Sequence, residues 1–209
     1  MQGPGKGLVR VLGLLVMGLS VPGGALWGQG EDQMCLMCHG DPAMLQGVEE
    51  ADRLLVTPAD LRLSVHGGVV GCTQCHQDLP LPHTAVDVPP VDCAACHSIQ
   101  GEQHSRSLHG QAAARGDTLA PSCVDCHGGH DILSHRNPAS PTATMNIPVL
   151  CGECHREGSP VSRTHDIPQD RILQNYSMSI HGDGLYRAGL TVTAVCTSCH
   201  TSHNILPHT

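Results

Sequence analysis

The hydrophobic pattern of the chain opens on its one long apolar run. Leu8 to Leu19 follows Lys6, encloses Arg10, and is broken by Pro22-Gly23-Gly24 ahead of small residues. A positive start, a short apolar middle and a small-residue end predict a secretory signal over residues 1–28, cleaved after Ala25 or Gly28. The rival reading is a retained membrane anchor over Leu8 to Leu26, but several of those positions are Gly and Pro22 interrupts them. No later stretch is apolar and long enough to cross a membrane. The rest carries most of the 24 Gly and 15 Pro, which favour turns and extended connections over long elements. Few regular elements are expected: short helices at the cysteine motifs described next, and one helix each within 101–116 and 170–188.

Six copies of C-x-x-C-H use up all twelve cysteines. They begin at Cys35, Cys72, Cys93, Cys123, Cys151 and Cys196, with second thiols at Cys38, Cys75, Cys96, Cys126, Cys154 and Cys199. The histidines that close them are His39, His76, His97, His127, His155 and His200. Two thiols at this spacing can each add to a vinyl group of one porphyrin, and the adjoining His then sits beneath the iron as its proximal ligand. Zinc would want two C-x-x-C pairs per tetrahedral ion and would leave the fifth-position His unexplained. A disulfide framework fares no better, because C-x-x-C pairs staple almost no chain. Six covalently attached c-type haems are therefore expected.

The remaining histidines reveal an internal repeat. Ser64-Val65-His66-Gly67, Ser107-Leu108-His109-Gly110 and Ser179-Ile180-His181-Gly182 each precede a C-x-x-C-H. After those same motifs the chain repeats again: the tail His127 to His135 parallels His200 to His208, with His76 to His83 a divergent first copy. Each two-haem unit thus has a leading motif, an S-x-H-G phrase, a second motif and a tail. The units span about 31–88, 89–148 and 149–209 of one hexahaem domain over 29–209, joined by proline-rich connectors at Val88-Pro89-Pro90 and Asn137 to Pro141.

Low-spin haem needs a sixth ligand, and neutral imidazole is the commonest donor. His66, His109 and His181 from the phrases, with His83, His130 and His203 from the tails, supply six. By distance from the proximal His, His83 aligns better with His135 and His208, so these later tail residues stay open as alternatives. A His three residues after a proximal His cannot easily reach the opposite face of the same porphyrin, so His130 and His203 are expected to serve neighbouring haems. Met44 is a further candidate for the first haem. His104 and His165 read as exposed polar side chains, and Gly67, Gly110 and Gly182 as places where backbone approaches a porphyrin.

One Trp, two Tyr and no Phe cannot build an ordinary core, and about 30 residues per haem are too few to surround one. The fold class expected is mostly irregular with short α-helices, organised around a haem chain. A formal charge of −8 argues against nucleic acid as a partner and for docking to basic or mixed patches.

On its doubled C-x-x-C-H motifs and S-x-H-G histidines, the chain resembles the multihaem c-type cytochromes of bacterial periplasm and cell surface over about residues 31–209. That resemblance implies an exported, bis-His electron carrier, periplasmic first and at the cell surface second. Its partners would be redox proteins: a membrane quinol-oxidising complex, a terminal reductase or an outer-membrane cytochrome. Two other readings stand beside it. A multihaem reductase of nitrite, hydroxylamine or tetrathionate type needs an open iron, often signalled by C-x-x-C-K, whereas all six copies here end in His. The first haem is where such a site would fit, since no S-x-H-G phrase precedes it. A filament protomer, with a His of one subunit ligating a haem of the next, is permitted by the surplus histidines.

Overall fold

Glycine and proline punctuate this chain so often that no helix among the described residues exceeds 11 residues. The computed structural model describes residues 29–80, 82–83, 88–167, 169 and 171–206; the expected signal over 1–28 and His208 lie outside them. Among the described residues there are only short helices, turns and irregular segments, with no strand. None of those helices is long and apolar enough to cross a membrane.

Five of the six cysteine motifs lie on α-helices: α1 (Gln29–His39), α4 (Cys72–Cys75), α7 (Cys123–His127), α8 (Ile147–His155) and α12 (Cys196–His200). The third forms a 3-10 turn over Cys93–Ala95, capped by Asp92, whose carboxylate accepts the Ala94 N–H at 2.9 Å. Between them run α2 (Ala51–Leu54), α3 (Pro58–Leu63), α5 (Ser98–Arg106), α6 (Leu108–Ala114), α9 (Pro160–Thr164), α10 (Ile172–Ser177) and α11 (Ile180–Tyr186). The start of α7 is typical: Ser122 and Asp125 form a reciprocal capping box, in which the Asp125 carboxylate accepts the Ser122 N–H at 2.7 Å.

The single helices expected within 101–116 and 170–188 are each two helices meeting at a corner, and the S-x-H-G phrase is that corner. Ser107 leaves the helical region (φ −71°, ψ 166°) and caps α6. Its hydroxyl accepts the Gly110 N–H at 3.0 Å and donates to the His104 carbonyl of α5 at 2.7 Å. Ser179 does the same between α10 and α11, accepting from Gly182 at 3.2 Å and donating to the Tyr176 carbonyl at 2.7 Å. One hydroxyl thus closes one helix and opens the next, which no reading of hydrophobic period would detect.

The glycine of the phrase has a task within the polypeptide itself. A Cβ on Gly110 would stand 2.0 Å from the His104 carbonyl oxygen, one on Gly182 2.2 Å from that of Tyr176, and one on Gly67 2.2 Å from that of Leu61. The close approach is therefore to the chain's own backbone six residues earlier. Gly110→Ala is expected to cost about 2–3 kcal/mol by overpacking, against about 1 kcal/mol for Ser107→Ala through the lost cap. Denaturant unfolding of the two variants measures the difference.

Contacts within the polypeptide bury few apolar side chains: Leu45, Val56, Ala143, Ile147, Leu185 and Val195 among the described residues. Ile147, Leu185 and Val195 form one cluster, joined by Met145, Leu150, Tyr176, Cys151 and Cys196. Tyr176 fixes it by donating to the Ala194 carbonyl at 3.0 Å and meeting Tyr186 edge to face. This knot holds α8, α10, α11 and α12 together. Elsewhere large apolar residues such as Met37, Val69 and Val192 face outward.

Candidate haem-binding site

The cysteine motifs follow one another through space in the order they have in sequence. The thiols of Cys35 and Cys72 are neighbours, and so are those of Cys93 and Cys123. The thiols of Cys151 and Cys196 are neighbours as well. Those contacts join the two motifs of each repeated unit. The steps between units are made by Cys75, which faces Cys93 and Cys96, and by Cys126, which faces Cys154. Asp32 of α1 pins the first step by accepting the Cys72 N–H at 2.7 Å. All twelve cysteines are free of disulfides.

The histidines meet in pairs, each joining a motif to a remote residue. His39 faces His83 with ring centres 5.9 Å apart, His66 faces His97 at 5.9 Å, and His76 faces His130 at 6.2 Å. His109 faces His155 at 6.1 Å and His127 faces His203 at 6.1 Å. Two bonds of about 2 Å from one metal ion, plus roughly 1 Å from each nitrogen to its ring centre, place two axial imidazoles about 6 Å apart. The observed separations fit one iron between each pair. The flanking thiols supply the attachment points, so the residues present suit haem c.

Electrostatics favour the ligating form. Burial first, and neighbouring imidazoles second, hold His76, His109, His127, His155 and His203 below the usual histidine range, so they stay neutral with a lone pair to offer. Proximal rings are aimed from behind. His39 Nδ1 lies 2.9 Å from the Leu54 carbonyl and His200 Nδ1 lies 3.2 Å from the Leu206 carbonyl. A carbonyl only accepts, so Nδ1 carries the proton and Nε2 is left as the donor to metal. Burial, Asp32 and Cys35 push the Cys72 thiol up to about 12.

Of the candidate ligands, His66, His83, His109, His130 and His203 each stand opposite a motif histidine. His181 stands opposite no imidazole among the described residues and is exposed. His135 is exposed, and among the described tail residues those that face motif rings are His83, His130 and His203. Met44 is exposed as well, and His83 holds the place across from His39. His104 is half-buried rather than exposed, because its Nε2 donates to the Pro121 carbonyl at 3.2 Å. His165 bonds Asp117 at 2.7 Å. The orienting carbonyls of Leu54 and Leu206 were not foreseeable from sequence, since every residue carries one. Asp32, three positions before Cys35, is a side chain whose charge could have drawn attention.

Short helices carrying consecutive C-x-x-C-H motifs, with histidines paired at axial spacing, are the framework of a multihaem c-type cytochrome. The model of the Class III cytochrome C family matches residues 45–155, more than half the chain, and the protein belongs to that family. Its members hold covalently bound haem and transfer electrons. The matched stretch contains the motifs beginning at Cys72, Cys93, Cys123 and Cys151, leaving the first and last outside it. Comparison with curated proteins and with solved structures found no match.

Proposed function

We propose that this protein is a six-haem electron carrier working outside the cytoplasm, with one haem c at every C-x-x-C-H motif. The observation that carries the reading is the set of five imidazole pairs at 5.9–6.2 Å, each placing a remote histidine across from a motif histidine. Proximal ligands are His39, His76, His97, His127, His155 and His200. Distal ligands to the first five are His83, His130, His66, His203 and His109 in that order. The neighbouring thiols support a file of haems from the first motif to the sixth, in which electrons enter at one end and leave at the other.

Haem supplies the redox change; the chain supplies spacing, axial donors and insulation. Because four of the five remote donors come from other repeats, those ligands also tie two parts of the chain together. The reductase alternative loses its main foothold, since His83 stands across from His39, at the haem where an open iron would fit. Residues 1–28 are the export signal, and the acidic surface docks to redox partners through basic or mixed patches.

Haem content tests this reading. Pyridine haemochrome analysis and intact mass are expected to give six haems per chain on a polypeptide lacking its first 25–28 residues. Four haems, as the matched stretch alone would hold, would overturn the count. Dye-free nitrite or hydroxylamine turnover would overturn the carrier assignment.

A further inference from the structure

Two rules connect successive repeats, and both stop at Ser179-Ile180-His181-Gly182. By the first rule, the phrase histidine faces the leading motif of the next repeat: His66 faces His97 and His109 faces His155. By the second, the residue before that histidine donates its N–H to the tail isoleucine of the next repeat. Val65 donates to the Ile132 carbonyl at 2.8 Å, and Leu108 to that of Ile205 at 2.9 Å. The third phrase is folded like the second, with Ser179 capping α11 and Gly182 lying on the Tyr176 carbonyl. Yet no described imidazole faces His181, and no described carbonyl accepts the Ile180 N–H. Ile180 is 84% exposed where Val65 and Leu108 are 49% and 45%.

The opposite end shows the matching exception. His39 belongs to a leading motif, but it faces His83 of its own repeat's tail rather than a phrase histidine. One end therefore presents a donor with no described imidazole across from it, and the other end holds its place with a local substitute.

We propose that the Ile180–His181 edge is a self-association site, in which His181 of one copy replaces His83 across from His39 in a second copy. This rests on the six-haem reading above. The occupant is argued by continuity: the contact repeats the interface already used between the first and second repeats and between the second and third. One iron–nitrogen bond, to His181, forms as another, to His83, breaks, and no electron is transferred. The haem at Cys35 and Cys38 then bridges two chains, extending the file of haems across the junction. A head-to-tail contact of this kind does not close on itself, so copies add in a row.

The test is sedimentation velocity of the holoprotein over a wide concentration range, with haem per chain measured on the same samples. Wild-type protein is expected to grow in mass with concentration. His181→Ala and Ile180→Glu should weaken that growth by at least about tenfold, as loss of a central anchor does. His83→Ala, which removes the competing ligand, should strengthen it. Two results would overturn the proposal: wild-type protein that stays monomeric, or His181→Ala that associates like wild type. A monomeric His181→Ala with one newly high-spin haem would also sink it, since His181 would then serve its own chain. Six haems without association defeats this inference alone; fewer than six defeats the underlying reading as well.

Discussion

Removing both thiols of the third motif, by Cys93→Ala with Cys96→Ala, is expected to abolish the holoprotein rather than trim one haem from it. That motif sits in the middle of the file, with Cys75 on one side and Cys123 on the other. Its histidine faces His66, so losing the haem also releases the link between the first and second repeats. Among the described residues the polypeptide offers little compensation there, since their buried apolar cluster lies around Ile147, Leu185 and Val195. A domain stable by about 5–15 kcal/mol is not expected to lose a large buried group from its middle and stay folded. Haem-stained yield and thermal melting measure this. A stable five-haem protein would show that the haems are not the core.

The second large effect is electronic. His109→Met is expected to leave all haems attached and raise the potential of the haem at Cys151 and Cys154 by on the order of 100 mV. A thioether donor favours ferrous iron relative to imidazole, and axial ligands span several hundred millivolts. Half-buried His109 stands 6.1 Å from His155 on α6, so a methionine there reaches the same iron. Potentiometric titration should resolve one component displaced upward, with the rest unmoved. If nothing shifts, His109 is no ligand.

The two kinds of information in this sequence differ in range. C-x-x-C-H is legible because its chemistry is local: two thiols and an imidazole must lie within five residues of each other. The S-x-H-G repeat is legible as register, and its serine, read as a helix cap, would have predicted the corners at Ser107 and Ser179 that divide the two expected helices. Which histidine meets which motif is not written locally. His66 and His109 reach forward to the next repeat, while His130 and His203 reach back to the previous one, and only the packed chain sets those directions. His83 departs from both patterns, because its tail is divergent. The task of the phrase glycine within the polypeptide was not legible for a related reason. Its clash partner is a backbone carbonyl, and sequence does not reveal where the preceding helix ends.

Paramagnetic resonance of the ferric protein, with spins counted against chemically determined haem, tests the central claim most directly. Six haems are predicted, with low-spin bis-imidazole signals from the five whose two histidines face each other. A high-spin ferric signal that shifts when nitrite or hydroxylamine is added would contradict the account, by showing an iron open to substrate.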